Sequence, residues 1–252
     1  MQYTKSIQIV LVEPSHPGNI GAVARAMKTM GLSALTLVNP TENFPNAEST
    51  VRAAGADDIL VKAKSVPDLD GALNECELII GTSARDRRFT IPLLSPEQCA
   101  ELIFRQPDSM KIGIMFGREN SGLTNAELNR CHYHVHIPSV PDFSSLNLAS
   151  AVQILCYEIR KHSLKEIVPT ITDEAILYAT DHEIQLFYER LETTLKDINF
   201  LREHSPRKLM TRLRRMFNRT HLEKTELDLL MGILKKCRVG KGASATCPPF
   251  CV

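Results

Sequence analysis

An apolar run, Ile112-Gly113-Ile114-Met115-Phe116, leads into Gly117-Arg118-Glu119-Asn120-Ser121-Gly122-Leu123-Thr124. The Gly-x4-Gly spacing followed by Thr124 imitates a phosphate-binding loop, but Leu123 stands where that loop needs the lysine that reaches the phosphates. Chemistry at this turn therefore calls for a ligand that approaches backbone closely without bringing phosphate charge. A second segment, Asn19-x-Gly21-x-x-Ala24-Arg25, has an ordinary reading as a helix start, with Asn19 as cap and small residues for close helix–strand packing. Arg25 departs from that reading, because an arginine one turn into a helix of Ala, Val and Met calls for an anion. A third segment, Phe143-Ser144-Ser145-Leu146-Asn147-Leu148-Ala149-Ser150-Ala151-Val152-Gln153, reads as a serine-capped buried helix. Its Asn147 and Gln153 amides need partners among Leu, Ala and Val.

Other chemistries find less support. His132, His134 and His136 share a strand face, but no carboxylate or cysteine stands in register with them, so no metal is expected. Gly-x-Ser-x-Gly is absent, which removes a hydrolase elbow around Ser83, Ser144 or Ser145. The first strand–helix loop, Gly18-Asn19-Ile20-Gly21, lacks the dinucleotide spacing, and Asn39-Pro40 replaces the acid expected after the second strand.

These segments need elements to hold them. Apolar strands are expected at Ile7–Val12, Leu35–Val38, Leu78–Gly81, Ile112–Phe116 and Val135–Ile137. Helices are expected over Asn19–Met30 with Gly31 as stop, over Glu48–Ala54, near Leu69–Cys76, and from Asn147 to about His162. This alternation predicts an α/β fold with a parallel sheet flanked by helices, whose ligands lie beyond the carboxyl ends of the strands. Residues 165–174 read as a linker and 175–237 as a small helical module. The module opens with a capping box at Thr180-x-x-Glu183, with a second at Thr220-x-x-Glu223. Its apolar stripes are Ile184, Phe187, Leu191, Leu195 and Ile198, then Leu209, Leu213, Met216 and Phe217, then Leu227, Leu230, Met231 and Leu234. The tail 238–252 reads as unstructured or non-native.

The chain has 252 residues, 43% of them hydrophobic, with net charge +1. Its mean hydropathy is -0.12, as in globular proteins that keep to water. No run suggests a membrane span or a signal peptide, so a cytoplasmic location is expected. The seven cysteines are scattered without C-x-x-C spacing and read as reduced thiols. The small net charge conceals an asymmetry: Pro206–Leu222 holds six Lys/Arg and no acid, the footprint of a polyanion partner.

Taken together and in this order, N-x-G-x-x-A-R, F-G-R-E-x-x-G-L and I-P…S-S-L-N-L-x-x-A-V-Q resemble the SPOUT methyltransferases of the RNA 2′-O-ribose branch, over about Ile7 to Lys161. Ser15-His16, Ala26-Met27-Lys28, Gly81–Arg85, Cys131–Val135 and the helical extension narrow the resemblance. It points to bacterial tRNA (cytidine/uridine)-2′-O-methyltransferases that act at position 32, the start of the anticodon loop. The resemblance implies a methyltransferase domain over 1–164 with a C-terminal trefoil knot, S-adenosylmethionine as cofactor, tRNA as substrate and a homodimer that shares the site. It places cofactor contacts on Thr82, Ser83, Ala84, Gly117, Ile137, Ser144, Ser145 and Leu146, and catalysis on Arg25, Asn19 and Ser145. Glu119 and Asn147 support that geometry. RNA contacts are expected from Arg85, Arg87, Lys208, Arg212, Arg215 and Arg219. The alternatives are 2′-O-methylation at another tRNA or rRNA nucleotide, and a non-catalytic RNA-binding protein of the same fold.

Overall fold

Strands apolar on both faces must be covered on both faces. The central strands of a seven-stranded sheet meet that condition, and the sheet comprises β1 (Ser6–Val12), β2 (Ala34–Val38), β3 (Lys64–Val66), β4 (Leu78–Thr82), β5 (Leu93–Leu94), β6 (Lys111–Phe116) and β7 (Tyr133–Val135). They pair in parallel throughout, in the order β3-β2-β1-β6-β4-β7-β5. The structure is a computed structural model that describes residues 5–40, 44–83, 91–164, 177–201 and 206–239. Ala84, Arg85 and Arg87, the linker at 165–174 and the tail from 240 lie outside the described residues.

The helices are α1 (Pro17–Met30), α2 (Ala47–Ala53), α3 (Asp57–Lys62), α4 (Leu69–Leu73), α5 (Pro96–Arg105), α6 (Asn125–Leu128), α7 (Leu148–Ser163), α8 (Asp181–Asp197), α9 (Pro206–Thr220) and α10 (Lys224–Val239). Side chains alternate across each strand, so one strand feeds two cores. Ile9, Leu11, Ile80, Ile114 and Phe116 join Val23, Met27, Val152 and Ile159 of α1 and α7 on one face. Val10, Val12, Ile79 and Met115 meet Leu73, Leu123 and Leu128 on the other. Cys76, Cys99, Cys131 and Cys156 are free thiols buried within these layers. Among the described residues no helix is long and apolar enough to cross a membrane, and no cluster of His, Cys, Asp and Glu could hold a metal ion.

Several local expectations change. Helix α1 starts two residues early, at Pro17, with His16 and not Asn19 at its cap. That frees the Asn19 amide for other work. Gly21 does serve close packing, but against a helix rather than a strand: a Cβ there would lie 2.0 Å from the Ser49 carbonyl oxygen of α2. The cap of α7 is Asn147, whose side chain accepts from the Ala149 amide, and not a serine. The last strand of the site region is Tyr133–Val135, ending before His136 and Ile137. Thr220 closes α9 by bonding back to the Phe217 carbonyl at 2.7 Å, so the second capping box does not form. On α9 Met210 is buried and Met216 exposed, and on α8 Ile198 is exposed.

Helices α8 to α10 enclose a third core around Ile184, Phe187, Tyr188, Met210, Leu227 and Leu234. This helical layer docks on the amino ends of β4 and β7. The Asp181 amide donates to the Cys76 carbonyl at 2.8 Å. Arg130 bridges Asp70 at 2.6 Å and also pairs with Asp181. The Asn218 amide donates to the Asn129 carbonyl at 2.6 Å. At the centre of the seam, the His221 ring lies 3.0 Å from the Glu77 carbonyl through Nε2, stacks on Tyr178 at 4.1 Å and faces His132 at 4.8 Å.

His132 is held neutral. Its Nδ1 accepts from the Ile79 amide at 3.0 Å, and burial, with the His221 ring beside it, pushes its pKa down from 6.5 to about 3. Burial lowers His221 as well. The unfolded chain therefore takes up protons below about pH 6.5 that the folded chain refuses. For His132 the resulting stability is complete above that pH and declines as pH falls towards 3, by up to ~1.4 kcal/mol per pH unit, and His221 adds in the same direction. Urea titrations at pH 7 and pH 5 are expected to show a smaller loss of stability at pH 5 for His132→Gln, which keeps an acceptor for Ile79, than for the native chain.

Candidate active site

Beyond the carboxyl ends of β4, β6 and β7 lies a cleft of about 310 Å³, near the lower end of the usual range for small-molecule sites. Thr82, Ser83, Gly117, Ile137, Ser144, Ser145 and Leu146 line it, together with Glu119. Phe116, Arg118, Asn120, Ser121, Gly122, Val135, Leu148 and Ala151, which the sequence motifs contain without marking them as cofactor contacts, complete the wall. Some of these lie beside named residues in the same motifs, so contiguity was the available signal. At the rim, the Thr82 hydroxyl donates to the Met115 carbonyl at 2.9 Å, and the Ser83 amide donates to the Val135 carbonyl at 3.1 Å. These bonds fix the three strand ends relative to one another.

The glycine loop owes its form to missing side chains. A Cβ on Gly117 would fall 2.1 Å from the Gly122 carbonyl carbon and 2.2 Å from the Leu123 nitrogen. Gly122 has φ of 70°, in the left-handed region that glycine enters freely. Its amide closes the loop by donating to the Arg118 carbonyl at 2.8 Å. Leu123 is buried in the second core beneath Gly81, so a lysine there would not point into the cleft.

Arg118 is the one cation on the cleft wall among the described residues, and it is fully engaged. Its guanidinium forms a two-point pair with Glu127, at 3.1 and 3.0 Å, and contacts Glu13 at 2.7 Å. Those carboxylates raise its already high pKa. Glu127 also closes the capping box of α6 with Thr124, so Thr124-x-x-Glu127 was the sequence signal for this brace. A triphosphate would find no free counterion here. A phosphate-free nucleoside finds apolar walls at Phe116, Val135, Ile137 and Leu146, with backbone groups at Gly117 and Ser144. The residues present fit S-adenosylmethionine on that account.

Glu119 ties the three motifs together. It accepts from the Ser15 amide at 3.1 Å, the Ser15 hydroxyl at 2.8 Å, the His16 amide at 3.3 Å and the Asn19 side-chain amide at 2.9 Å. Partial burial would raise this carboxyl, but the Asn19 and Ser15 donors outweigh it and hold the group below the usual carboxylate range. Asn19 Oδ1 in turn accepts from Asn147 Nδ2 at 3.0 Å, while Asn147 Oδ1 accepts from the Ala149 amide at 2.9 Å. Each bond fixes the direction of the next, from an ionised carboxylate to a helix cap.

Of the residues expected to act in catalysis, Ser145 lines the cleft and Asn19 reaches its edge through Glu119. Arg25 does neither. It is exposed on α1, away from the lining of its own chain's cleft, with no carboxylate partner among the described residues. On α9, Lys208, Arg212 and Arg219 are exposed, whereas Arg215 is half-buried and turned towards Asn129 at 3.5 Å.

The fold and cleft define a methyltransferase, and the chain belongs to the SpoU rRNA methylase family, whose model matches residues 6–157. A second family model, the C-terminal domain of the tRNA methyltransferase TrmJ, matches residues 182–246. The tRNA (cytidine/uridine/adenosine-2′-O-)-methyltransferase TrmJ of Pseudomonas aeruginosa is 47% identical over 94% of this chain and 96% of its own. The tRNA (cytidine/uridine-2′-O-)-methyltransferase TrmJ of Photorhabdus laumondii is 46% identical over 91% and 95%. The crystal structure of TrmJ from Z. mobilis superposes with a TM-score of 0.81 at 31% identity, covering 92% of this chain and 98% of that one.

Because Glu119 accepts four bonds as a carboxylate, Glu119→Gln would set an amide donor against Asn19 Nδ2 or Ser15. Misplacement by about 1 Å can cost ~10²-fold in rate. The expected outcome is a fall in kcat of that order with little change in S-adenosylmethionine affinity, read by steady-state kinetics alongside calorimetric titration.

Proposed function

We propose that this protein transfers a methyl group from S-adenosylmethionine to a ribose 2′-hydroxyl of tRNA, at the cytidine or uridine that opens the anticodon loop. The observation that carries this reading is the cleft whose one wall cation among the described residues is engaged by Glu13 and Glu127, which suits a nucleoside without phosphates. Membership of the SpoU methylase family and the relatives' activities support the reaction and the substrate class.

Bound in the cleft, S-adenosylmethionine supplies an electrophilic methyl on a sulfonium. Gly117, Ile137, Ser144, Ser145 and Leu146 would hold and orient it, with Thr82 and Ser83 at the end of β4 and Ala84, which lies outside the described residues, as a further expected contact. That methyl would pass to the ribose 2′-oxygen as the carbon–sulfur bond breaks, with the hydroxyl proton passing to solvent. Arg25 is no general base, since a guanidinium has no acceptor site and does not give up its proton in proteins. It grips the target phosphate and stabilises charge developing on the 2′-oxygen. Asn19 and Asn147, oriented from Glu119, keep that geometry.

A homodimer is part of this proposal. Arg25 stays off its own chain's cleft, which suits an arginine delivered to a second copy's site. The helical layer also docks at the amino ends of the strands, opposite the cleft. The knot implied by the family resemblance draws support from the strand order: β6 enters between β1 and β4, and β7 then enters between β4 and β5. RNA is held by the α9 stripe of Lys208, Arg212, Arg215 and Arg219 and by Arg85 and Arg87, with residues 175–237 acting as the binding module.

The test is to incubate the purified chain with S-adenosylmethionine and unmodified tRNA, then map ribose methylation by mass spectrometry. A single 2′-O-methyl at the start of the anticodon loop is expected, and transfer confined to another nucleotide would remove the positional part. Arg25→Lys is expected to abolish most turnover, because an ammonium cannot reproduce a two-point grip on phosphate. Near-normal turnover in that variant would refute the role given to Arg25. Neutralising Lys208, Arg212 and Arg219 to Gln is expected to weaken tRNA binding while leaving S-adenosylmethionine affinity unchanged. It should also flatten the dependence of log K on log salt by about 2–3, as read by filter binding over a salt series.

A further inference from the structure

Phe143 is the most exposed large apolar side chain among the described residues, at 81%. It ends a short 3-10 turn, Pro141–Phe143, held by the Phe143 amide donating to the Val140 carbonyl at 3.1 Å. The next three residues, Ser144, Ser145 and Leu146, all line the cleft. The turn is braced from behind, where the Ser139 hydroxyl donates to the Ser144 carbonyl at 3.3 Å. The backbone turn thus carries an aromatic ring next in sequence to the cleft lining and leaves it exposed on this chain, whereas Phe116 in the cleft wall is buried.

We propose that Phe143 is a stacking platform for the base of the nucleotide being methylated. This rests on the reading of the site as an RNA 2′-O-methyltransferase. A loop nucleotide that presents its 2′-hydroxyl to the cleft gives up stacking on its neighbours, and its base is carried to the rim. Single-stranded bases are held in this way on exposed aromatic rings. A phenyl ring bears no donor or acceptor, so it supports the base without reading its Watson–Crick edge. Phe143 is a positioning residue: it fixes where the ribose sits and makes no bond to the reacting atoms. Its contribution is largely blind to which base is present.

The experiment is a double-mutant cycle across the interface. One substrate is a tRNA with its natural target nucleotide. The other has an abasic ribonucleotide at that position, which keeps the 2′-hydroxyl and removes the base. Phe143→Ala is expected to lower kcat/KM on the natural tRNA by roughly 5- to 150-fold, the range that base–aromatic stacking commands, and to do so equally for cytidine and uridine. On the abasic tRNA the native chain and Phe143→Ala are expected to be equal. Phe143→Tyr is expected to restore activity and Phe143→Leu is not, because leucine keeps apolar area and loses the ring face. S-adenosylmethionine affinity and the sedimentation coefficient are expected to stay unchanged in all three variants. An equal loss on natural and abasic tRNA would overturn the proposal, as would a change of oligomeric state in Phe143→Ala, which would make the ring an interface residue. Absence of methyl transfer by the native chain would refute the underlying function, and this inference with it. Transfer by the native chain that Phe143→Ala leaves intact would refute the inference alone.

Discussion

One carboxylate organises this site. Glu119 follows β6, and its acceptors are filled from the loop that opens α1, through Ser15, His16 and Asn19. Asn19 passes the constraint to Asn147 at the start of α7. Residues far apart in sequence are thereby set to a fraction of an ångström, and the polarity of each amide is decided by the charge at the far end. An ionised group can direct such a chain because hydrogen bonds to it are shorter and stronger than those between neutral partners. If Glu119 were neutral, both asparagine amides would be free to rotate, and the starts of α1 and α7 would lose their common reference.

The cleft is otherwise shaped by subtraction. Gly117 and Gly122 allow backbone to lie on backbone, while Arg118 is withdrawn from the ligand by Glu13 and Glu127. The loop that resembles a phosphate site is therefore close-packed and offers its contents no free cation. The two properties have separate origins, one in steric permission and the other in a local ion pair of low exposure.

Much of the sheet is legible in the sequence because its central strands are continuous apolar runs ended by Asn39-Pro40, Thr82-Ser83 or Gly117. Strands β3 and β5 are not, since three and two residues are too few to show a period. Helix α5 carries a readable signal in the Ser95–Gln98 capping box, which the structure forms. The shift of the α1 cap from Asn19 to His16 turns on Pro17, a residue suited to the first helical position. Most of the wall of the candidate site follows from its three motifs. The bonds that join them do not, because a hydrogen bond between Asn19 and Asn147 across half of the chain leaves no local periodicity. The exchange of Met216 for Met210 on α9 has a similar cause: the docking partner, Asn129, lies outside the helix and rotates its buried face.

The seam at Arg130, Asp181, His132 and His221 joins the helical layer to the amino ends of β4 and β7, while the cleft occupies their carboxyl ends. A five-residue strand spans about 16 Å. The helical layer and the cleft are thus held one strand length apart, like the two jaws of a caliper, and that opening is locked by buried polar contacts. If the basic face of α9 grips tRNA as proposed, a substrate held at one jaw and methylated at the other would have to match that opening.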